Sequence, residues 1–486
     1  MACTTILVGK KASYDGSCMI ARNDDSAAGS YTAKKCIVVH PHTQPQKYES
    51  VLSHVKIDLP EEAMRYTAVP NAVEGEGIWA ACGINEAGIG MSATETITSN
   101  PRVLGADPLV VYDPETQTPG GIGEEDFVVL VLPYIRSARE GVLRLGALLE
   151  KYGTYEMNGI AFSDADEIWW METIGGHHWI ARKVPDDVYV AMPNQFGMDA
   201  FDLEDALGKK ENHLCSQDLK DFIDRYHLDL SLNSSFDPRA AFGSCDDADH
   251  VYNTPRAWYI EKVLNPHTKK WEGEGADYTP ESDDLPWCMH PEKKITIEDV
   301  KYILSSTYQG TPYDPYKGYG DRSCAGMYRS IGVNRTSFLG LIQHRPGKEA
   351  LEWIAYASNV FNVMIPLYPQ VSKMPDYIAN TTSKVTTENF YWMSRMIAAM
   401  ADASYKRSHN TIERYQNKVA AKAYEIVHRT DETLKKITDP SRRQEICEAA
   451  NEDICAMVKE CAQDTLDKVL FALSEQMKNA YARSDA

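Results

Sequence analysis

The sequence predicts an α+β protein built on antiparallel β-sheets, and two observations carry this prediction. Short apolar runs separated by Gly and Asp turns fill the first 192 residues, which is typical of antiparallel strands. From about Thr386 onward, apolar residues recur at steps of three and four, as amphipathic helices require. The composition, 43% hydrophobic and 25% charged, is that of an ordinary globular protein and excludes wholesale disorder.

The first 25 residues predict a β-hairpin. Residues 3–8, Cys-Thr-Thr-Ile-Leu-Val, are rich in β-forming side chains without polar alternation, which favours a strand covered on both faces. Asp15-Gly16 is the strongest turn signal in the segment that follows, and an apolar run resumes two residues later. A turn centred within residues 12–14 would place residues 22–25 alongside Cys3.

Further elements follow from the same kinds of pattern. The remaining strand predictions are residues 35–40, 78–83, 89–96, 159–163, 167–172, 178–182 and 188–192. Residues 137–152 predict a helix, since Val142, Leu145 and Leu149 fall on one face. Two domains are expected: residues 1–385 as the core, and residues 386–486 as a mostly helical region packed on the core or on a partner subunit of a homo-oligomer.

One stretch within the predicted core has a different character. Residues 231–293 are rich in Asp, Asn, Pro and Trp, which indicates loops. A single helix, residues 255–263, is predicted inside this loop-rich insertion.

The overall charge limits the kind of partner. The chain has 70 Asp and Glu against 50 Lys and Arg, a formal net charge of −20, so an interaction with nucleic acid is not expected. No apolar stretch reaches the about 18 residues of a membrane span, and no signal peptide is recognisable at the start. Eleven cysteines without a secretory signal are expected to be reduced thiols, so we predict a cytoplasmic protein without a membrane partner.

Common cofactor and metal motifs are missing from the sequence. It contains neither a Gly-x-x-x-x-Gly-Lys-Ser/Thr loop nor a Gly-x-Gly-x-x-Gly after a strand, and no His-Glu-x-x-His. We therefore expect no metal and no organic cofactor.

Cys3 is a candidate for a catalytic nucleophile. A cysteine that begins a chain, once the residues before it are removed, supplies both a nucleophilic thiol and a base, its own α-amine. Such a site needs a nearby cation to favour the thiolate, a carboxylate to orient the amine, and donors to an oxyanion. Residues 22–25, Arg-Asn-Asp-Asp, offer the cation and the carboxylate. A buried strand cysteine beside a charged turn is the competing interpretation, and the pattern alone leaves it open.

Six motifs stand out along the chain: Cys3-Thr-Thr-Ile-Leu-Val-Gly-Lys-Lys, Met19-Ile-Ala-Arg-Asn-Asp-Asp25, Gly83-Ile-Asn-Glu-Ala-Gly-Ile-Gly90, Trp169-Trp-Met-Glu-Thr-Ile-Gly-Gly-His-His-Trp179, Met192-Pro-Asn-Gln-Phe196 and Asn334-Arg-Thr-Ser-Phe338. Together they resemble the dipeptidase A type cysteine dipeptidases, which belong to the N-terminal nucleophile hydrolases and are related to secernins, bile salt hydrolases and penicillin V acylases. The resemblance extends from about Cys3 to Pro375. It implies a four-layer αββα sandwich for the core and no cofactor.

The resemblance also implies roles for individual residues. Cys3 would be the nucleophile after removal of Met1 and Ala2, with Arg22 and Asp25 flanking it. Asn194 would donate to the oxyanion. Arg335 would be a further active-site arginine, although Arg329 is close enough in sequence to compete.

One position departs from the pattern of the related acylases. The second oxyanion asparagine of those enzymes falls near Glu95 here, and a carboxylate donates a hydrogen bond only when protonated. We therefore expect backbone N–H groups or another side chain to supply that half of the oxyanion hole.

The function implied by the resemblance is hydrolysis of dipeptides through a cysteine acyl-enzyme intermediate. Two alternatives stay open at this point. One is an amidohydrolase of the same superfamily acting on N-acyl amides, for which a wide apolar pocket would speak. The other is a non-enzymatic interaction protein, as secernins are often regarded. A closed site with paired charges would favour the dipeptidase, because a dipeptide presents an ammonium and a carboxylate.

Overall fold

Two antiparallel β-sheets form the centre of the computed structural model, which describes residues 2–232 and 235–478. The strands are β1 (Ala2–Val8), β2 (Cys18–Asp25), β3 (Ile37–Val39), β4 (Lys47–Glu49), β5 (Lys56–Asp58), β6 (Tyr66–Ala68), β7 (Cys82–Ile84), β8 (Gly90–Thr96), β9 (Asn158–Ser163), β10 (Ile168–Ile174), β11 (His178–Lys183), β12 (Tyr189–Met192), β13 (His213–Cys215), β14 (Cys288–Met289), β15 (Thr336–His344), β16 (Leu351–Tyr356) and β17 (Ile365–Leu367). The α+β class predicted from the sequence is confirmed.

Helices separate and cover these strands. They are α1 (Pro101–Ala106), α2 (Phe127–Val131), α3 (Ala138–Tyr152), α4 (Leu203–Leu207), α5 (Leu219–Tyr226), α6 (Pro238–Phe242), α7 (Asp247–Tyr252), α8 (Thr254–Leu264), α9 (Ile297–Leu304), α10 (Asp376–Ala379), α11 (Phe390–Ala403), α12 (Tyr405–Leu434) and α13 (Pro440–Ser474). In the described part of the chain, no helix is both long and apolar enough to cross a membrane.

The larger sheet contains seven strands in the order β14-β12-β1-β2-β15-β16-β17. The hairpin β1–β2 is at its centre, with Cys3 opposite Asp24 and Thr5 opposite Arg22. This register centres the connection at residues 13 and 14, as predicted. Gly16 adopts a φ of 84° in this connection, a left-handed conformation that glycine tolerates best.

The second sheet contains six strands in the order β13-β11-β10-β9-β8-β7. Strands β1 and β2 contact β8, and β2 also contacts β9, so the second sheet lies against the face of the hairpin that carries Arg22. Helix α3 packs on β9, β10 and β11. Helix α9 packs on β1 and β2, while α12 and α13 pack on β17.

Some sequence predictions differ from the observed elements. The predicted strand at residues 78–83 is reduced to β7, because residues 78–81 run as an irregular segment before the strand begins. The insertion 231–293 contains α6 and α7 in addition to the expected helix α8, while its residues 233 and 234 lie outside the described residues.

The central strand β15 was not predicted. Both of its faces are buried, so its sequence lacks alternation, and Gly340 lies in its middle. A Cβ at Gly340 would lie 2.4 Å from the Phe338 ring, so tertiary packing explains this glycine.

The three long C-terminal helices α11–α13 agree with the helical pattern expected from residue 386 onward. Their stripes of apolar residues face the core and each other, since α12 and α13 pack along much of their lengths. The division of the chain into two domains stays a prediction.

Candidate active site

Cys3 lies near the start of β1, and its side chain points into the space between the two sheets. It is 0% exposed. Arg22, on the neighbouring strand β2, directs its Nη1 at the thiol, 2.9 Å from Sγ. The predicted contact between this cysteine and a cation follows directly from the hairpin register, because Cys3, Thr5, Arg22 and Asp24 all point to the same face.

The Arg22 guanidinium is held by five contacts. Besides Sγ, it donates to the carbonyl oxygens of Thr94 (2.6 Å), Ala93 (2.7 Å) and Ala81 (3.2 Å) and to Glu124 Oε1 (3.3 Å). Burial disfavours its charged form, but the neighbouring thiol and carboxylates outweigh this and raise the pKa of Arg22. The cation at this position is therefore permanent and rigidly placed.

Burial also disfavours the charged form of the Cys3 side chain, the thiolate. It raises the pKa of Cys3, and Arg22 only partly offsets this, because the carboxylates of Glu95, Glu124 and Asp24 oppose a second negative charge. In the unprocessed chain the nitrogen of Cys3 is an amide, which donates to Asn194 Oδ1 at 3.2 Å. The site in this form contains a buried, protonated thiol whose own nitrogen cannot act as a base.

Asp25 ends β2 opposite Ala2. Its carboxylate is 0% exposed, forms an ion pair with Arg329 and accepts a hydrogen bond from Thr336 Oγ1 at 2.5 Å. Among the described residues no hydrogen bond joins it to Cys3. Its expected role in orienting the α-amine therefore stays a prediction.

The sequence left two candidates for the further active-site arginine, Arg335 and Arg329. Arg329 forms the ion pair with Asp25, and its guanidinium lies over the Tyr252 ring, 5.1 Å from the centroid. Arg335 also reaches this cluster, but through a hydrogen bond from its Nη2 to the hydroxyl of Tyr252. The geometry thus places Arg329 nearer to the charged centre than Arg335.

Asn194 follows β12 and is 8% exposed. Its Oδ1 accepts from the Cys3 nitrogen and from Arg256 Nη2 (2.8 Å), and its Nδ2 donates to the carbonyl oxygen of Thr96 (2.9 Å). The structure therefore brings Asn194 next to Cys3, as the sequence motif predicted.

Arg256 is a site residue that sequence reasoning missed. It is 0% exposed at the start of α8, and its Nη1 donates to the carbonyl oxygen of Cys3 and to Thr4 Oγ1. Burial and the nearby Arg329 lower its pKa to about 10. The only sequence signal was its position in the first turn of the predicted helix 255–263, which by itself indicates no role.

Glu95 occupies the position at which the resemblance placed a second oxyanion donor. Its Oε2 accepts from Thr5 Oγ1 at 2.7 Å, and its Oε1 has no hydrogen-bond partner among the described residues. Burial raises the pKa of Glu95 to about 8, although Arg256 and the Thr5 hydrogen bond oppose the shift. This carboxyl group is therefore mostly neutral at pH 7 and can act as a donor.

Two further carboxylates approach the thiol. One oxygen each of Asp24 and Glu124 lies within 4.8 Å of Sγ and of the other. Asp24 forms a buried ion pair with Lys34 at 2.8 Å. A Cys and two carboxylates are metal-ligand types, but the Arg22 guanidinium contacts Sγ and Glu124 and supplies the positive charge that a metal would bring.

Comparison with known proteins identifies the family of this chain. A model of peptidase family C69 matches residues 2–418. The chain belongs to this family. It is 52% identical to a dipeptidase of Bifidobacterium longum and to a probable dipeptidase A of Streptococcus pyogenes, with 100% of each chain covered. It is 43% identical to dipeptidase A of Lactobacillus helveticus, covering 93% of this chain and 92% of that one.

Membership in peptidase family C69 confirms the resemblance drawn from the motifs and the prediction of a peptidase. The non-enzymatic alternative has no support in these comparisons. No disulfide bond joins any of the eleven cysteines in the structure.

Proposed function

We propose that this peptidase hydrolyses dipeptides through an acyl-enzyme on Cys3, after Met1 and Ala2 have been removed. The names of the relatives, dipeptidase and dipeptidase A, support the substrate class. The contact of 2.9 Å between Arg22 and Sγ supports Cys3 as the nucleophile.

In the proposed reaction the α-amine of Cys3 takes the thiol proton as Sγ attacks the scissile carbonyl carbon. The free amine has an ordinary pKa of about 7.7–8.0, so it can accept this proton near neutrality. Asn194 Oδ1, which already accepts from this nitrogen, would hold the amine in place. The resulting ammonium then gives its proton to the leaving amino acid, and water hydrolyses the thioester.

The tetrahedral intermediate needs hydrogen-bond donors at its oxyanion. We propose that Asn194 is one donor and that the neutral carboxyl group of Glu95 is the other. The raised pKa of Glu95 and the unpartnered Oε1 support this assignment. It provides a side-chain donor where the sequence suggested that a carboxylate could not serve.

One observation carries the preference for dipeptides: the buried carboxylates of Asp24 and Glu124 beside Sγ. In a dipeptide the ammonium nitrogen is two bonds, about 2.5 Å, from the scissile carbon. It must therefore lie near the attacking sulfur, where Glu124 Oε2 has no hydrogen-bond partner among the described residues. An N-acyl amide lacks this positive charge and would leave Glu124 Oε2 without a hydrogen-bond donor in a buried site.

The sandwich architecture is part of the proposal. We infer a four-layer αββα core, with α3 outside the six-stranded sheet and α9 outside the seven-stranded sheet. The contacts of α3 with β9–β11, of β2 with β8 and β9, and of α9 with β1 and β2 support this order. The cytoplasmic location and the homo-oligomeric state stay predictions.

The test combines processing and substrate choice. Intact mass and N-terminal sequencing of active protein should show a chain that begins at Cys3. Dipeptides should be hydrolysed, whereas the same dipeptides with an acetylated amine should not be. Full activity in protein that retains Ala2, or equal turnover of acetylated substrates, would contradict the proposal.

Glu124→Gln provides the matched variant. It should raise KM for dipeptides by about tenfold, since a charge-assisted hydrogen bond contributes about 1.5–3 kcal/mol. Glu388→Gln, which removes an exposed carboxylate paired with Lys459, should leave KM unchanged.

A further inference from the structure

A cavity of about 480 Å³ lies on the other side of the seven-stranded sheet from Cys3. It is lined by residues of α9, of the segment 360–364 and of α12. The two faces are distinguished by adjacent residues of β2: Arg22 donates to Ala93 of the second sheet, whereas Asn23 donates to the carbonyl oxygen of Leu304 at the end of α9. The cavity is therefore separate from the candidate active site.

Lys301 contributes its side-chain amine to the lining of this cavity. Its Nζ donates to Ser305 Oγ and to the carbonyl oxygen of Asn359, both at 2.7 Å. Within residues 2–232 and 235–478 no carboxylate forms an ion pair with it. Burial alone lowers the pKa of Lys301 to about 7. A protonated amine has three N–H donors, so one remains for a ligand.

Aromatic and aliphatic side chains form a large part of the walls. Trp353 packs beside Tyr424 with ring centroids 5.5 Å apart, and Phe361 packs beside Tyr405 at 6.3 Å. Ile412 extends this apolar surface along α12. Small-molecule sites commonly have volumes of about 300–1,000 Å³, apolar walls and a few placed polar groups, and this cavity has all three features.

Six other titratable residues line the cavity in the described part of the chain. Glu298 and Tyr302 belong to α9, and Tyr405, His409, Glu413 and Tyr424 belong to α12. The side chains of His409 and Glu413 lie 3.8 Å apart. None of them forms an ion pair with Lys301 in the described part of the chain. An anion that enters the cavity would therefore meet a lysine amine that forms no ion pair among the described residues.

We propose that this cavity binds a small carboxylate that carries an aromatic or branched apolar group. The carboxylate pairs with the Lys301 amine, and the apolar group packs against Trp353, Phe361 and Tyr405. Two sources share this chemistry, a free amino acid and a carboxylic acid without an amine. This site does not depend on the reaction at Cys3.

The proposal predicts proton uptake on binding. An anion beside Lys301 restores the charged form of the amine, so a lysine that is mostly neutral at pH 8 must take up a proton. With a starting pKa of about 7 the uptake is about 0.9 proton per ligand at pH 8 and about 0.1 at pH 6.

Calorimetric titration of the full chain with 3-phenylpropionate and with L-phenylalanine tests this, in buffers of different ionisation enthalpy at pH 6 and pH 8. Binding of 3-phenylpropionate with the stated uptake supports the proposal. Additional binding of L-phenylalanine identifies an amino acid as an acceptable source. Absence of binding by both compounds, or uptake that does not change with pH, overturns the proposal.

Two variants locate the binding. Lys301→Met should abolish proton uptake and weaken binding at least tenfold. Ala420→Trp, which adds bulk on the α12 wall of the cavity, should block binding without removing the amine. Lys436→Met, at an exposed lysine without an ion pair among the described residues, should bind like the unaltered protein.

A second copy of the chain is the competing occupant of this cavity. Sedimentation analysis of the unaltered protein and of Ala420→Trp examines it. Unchanged binding in both cavity variants overturns the proposal. A dimer that dissociates in Ala420→Trp, combined with no ligand binding to the unaltered protein, also overturns it and assigns the cavity to a subunit interface.

Discussion

Replacing Arg22 by lysine should lower kcat/KM for dipeptides about hundredfold. The guanidinium makes five contacts, with the thiol, three backbone carbonyl groups and Glu124. Lysine keeps the positive charge, but its one nitrogen cannot replace both Nη1, which contacts Sγ, Thr94 and Glu124, and Nη2, which donates to Ala81 and Ala93. An ammonium that moves to the carbonyl oxygens of Ala81 and Ala93 leaves the sulfur, and the thiol loses its cation.

The magnitude follows from the distance. Two unit charges 2.9 Å apart, the distance from Nη1 to Sγ, attract by about 6 kcal/mol at an effective dielectric constant of 20. Losing a little under half of that attraction raises the barrier by about 2.7 kcal/mol, which is a hundredfold in rate. The same change should raise the thiol pKa by about two units.

The assay measures kcat/KM on a dipeptide series, together with the pH dependence of alkylation by iodoacetamide as a readout of thiolate. Arg429→Lys is the matched control, since Arg429 forms an exposed pair with Asp453 and should tolerate lysine. Thermal unfolding confirms that each variant is folded. A drop of less than about threefold in Arg22→Lys, with unchanged alkylation, would refute the role of Arg22, because it corresponds to under about 1 kcal/mol.

Three further predictions concern neighbouring groups. Iodoacetamide and Cys3→Ser should each abolish most activity while EDTA leaves it intact, because the nucleophile is a thiol and Arg22 supplies the cation; inactivation by EDTA alone would contradict this. Glu95 is neutral below its pKa of about 8, so raising the pH through 8 removes the proton that it would donate to the oxyanion, and kcat/KM should fall. Glu95→Gln keeps a hydrogen-bond donor at all pH values, so its kcat/KM should not fall in this range. An identical pH profile in both proteins would exclude the proposed role. Asp25→Asn leaves Arg329 without its buried partner and should cost about 3 kcal/mol of unfolding free energy and about hundredfold in kcat/KM, whereas Asp453→Asn should change neither measurement.

The amino-acid sequence by itself determined the local part of the site. The hairpin register follows from an apolar strand, a turn and a second apolar strand, and it alone places Arg22 on the same face as Cys3. Strand pairing of this kind depends on residues close in sequence, so periodicity and turn chemistry are sufficient. The resemblance carried in part by the motif after β12 also indicated Asn194, although the residues alone did not.

Only the tertiary structure decided which distant groups join them. Glu124, Arg256 and Arg329 reach the hairpin from separate segments, and no periodicity in the sequence relates those segments to β1. The pKa of Glu95 depends equally on burial, which removes water from the carboxyl group only when the two sheets close over it. Long-range packing therefore determines the charges around the thiol, whereas the local sequence determines the position of the thiol itself.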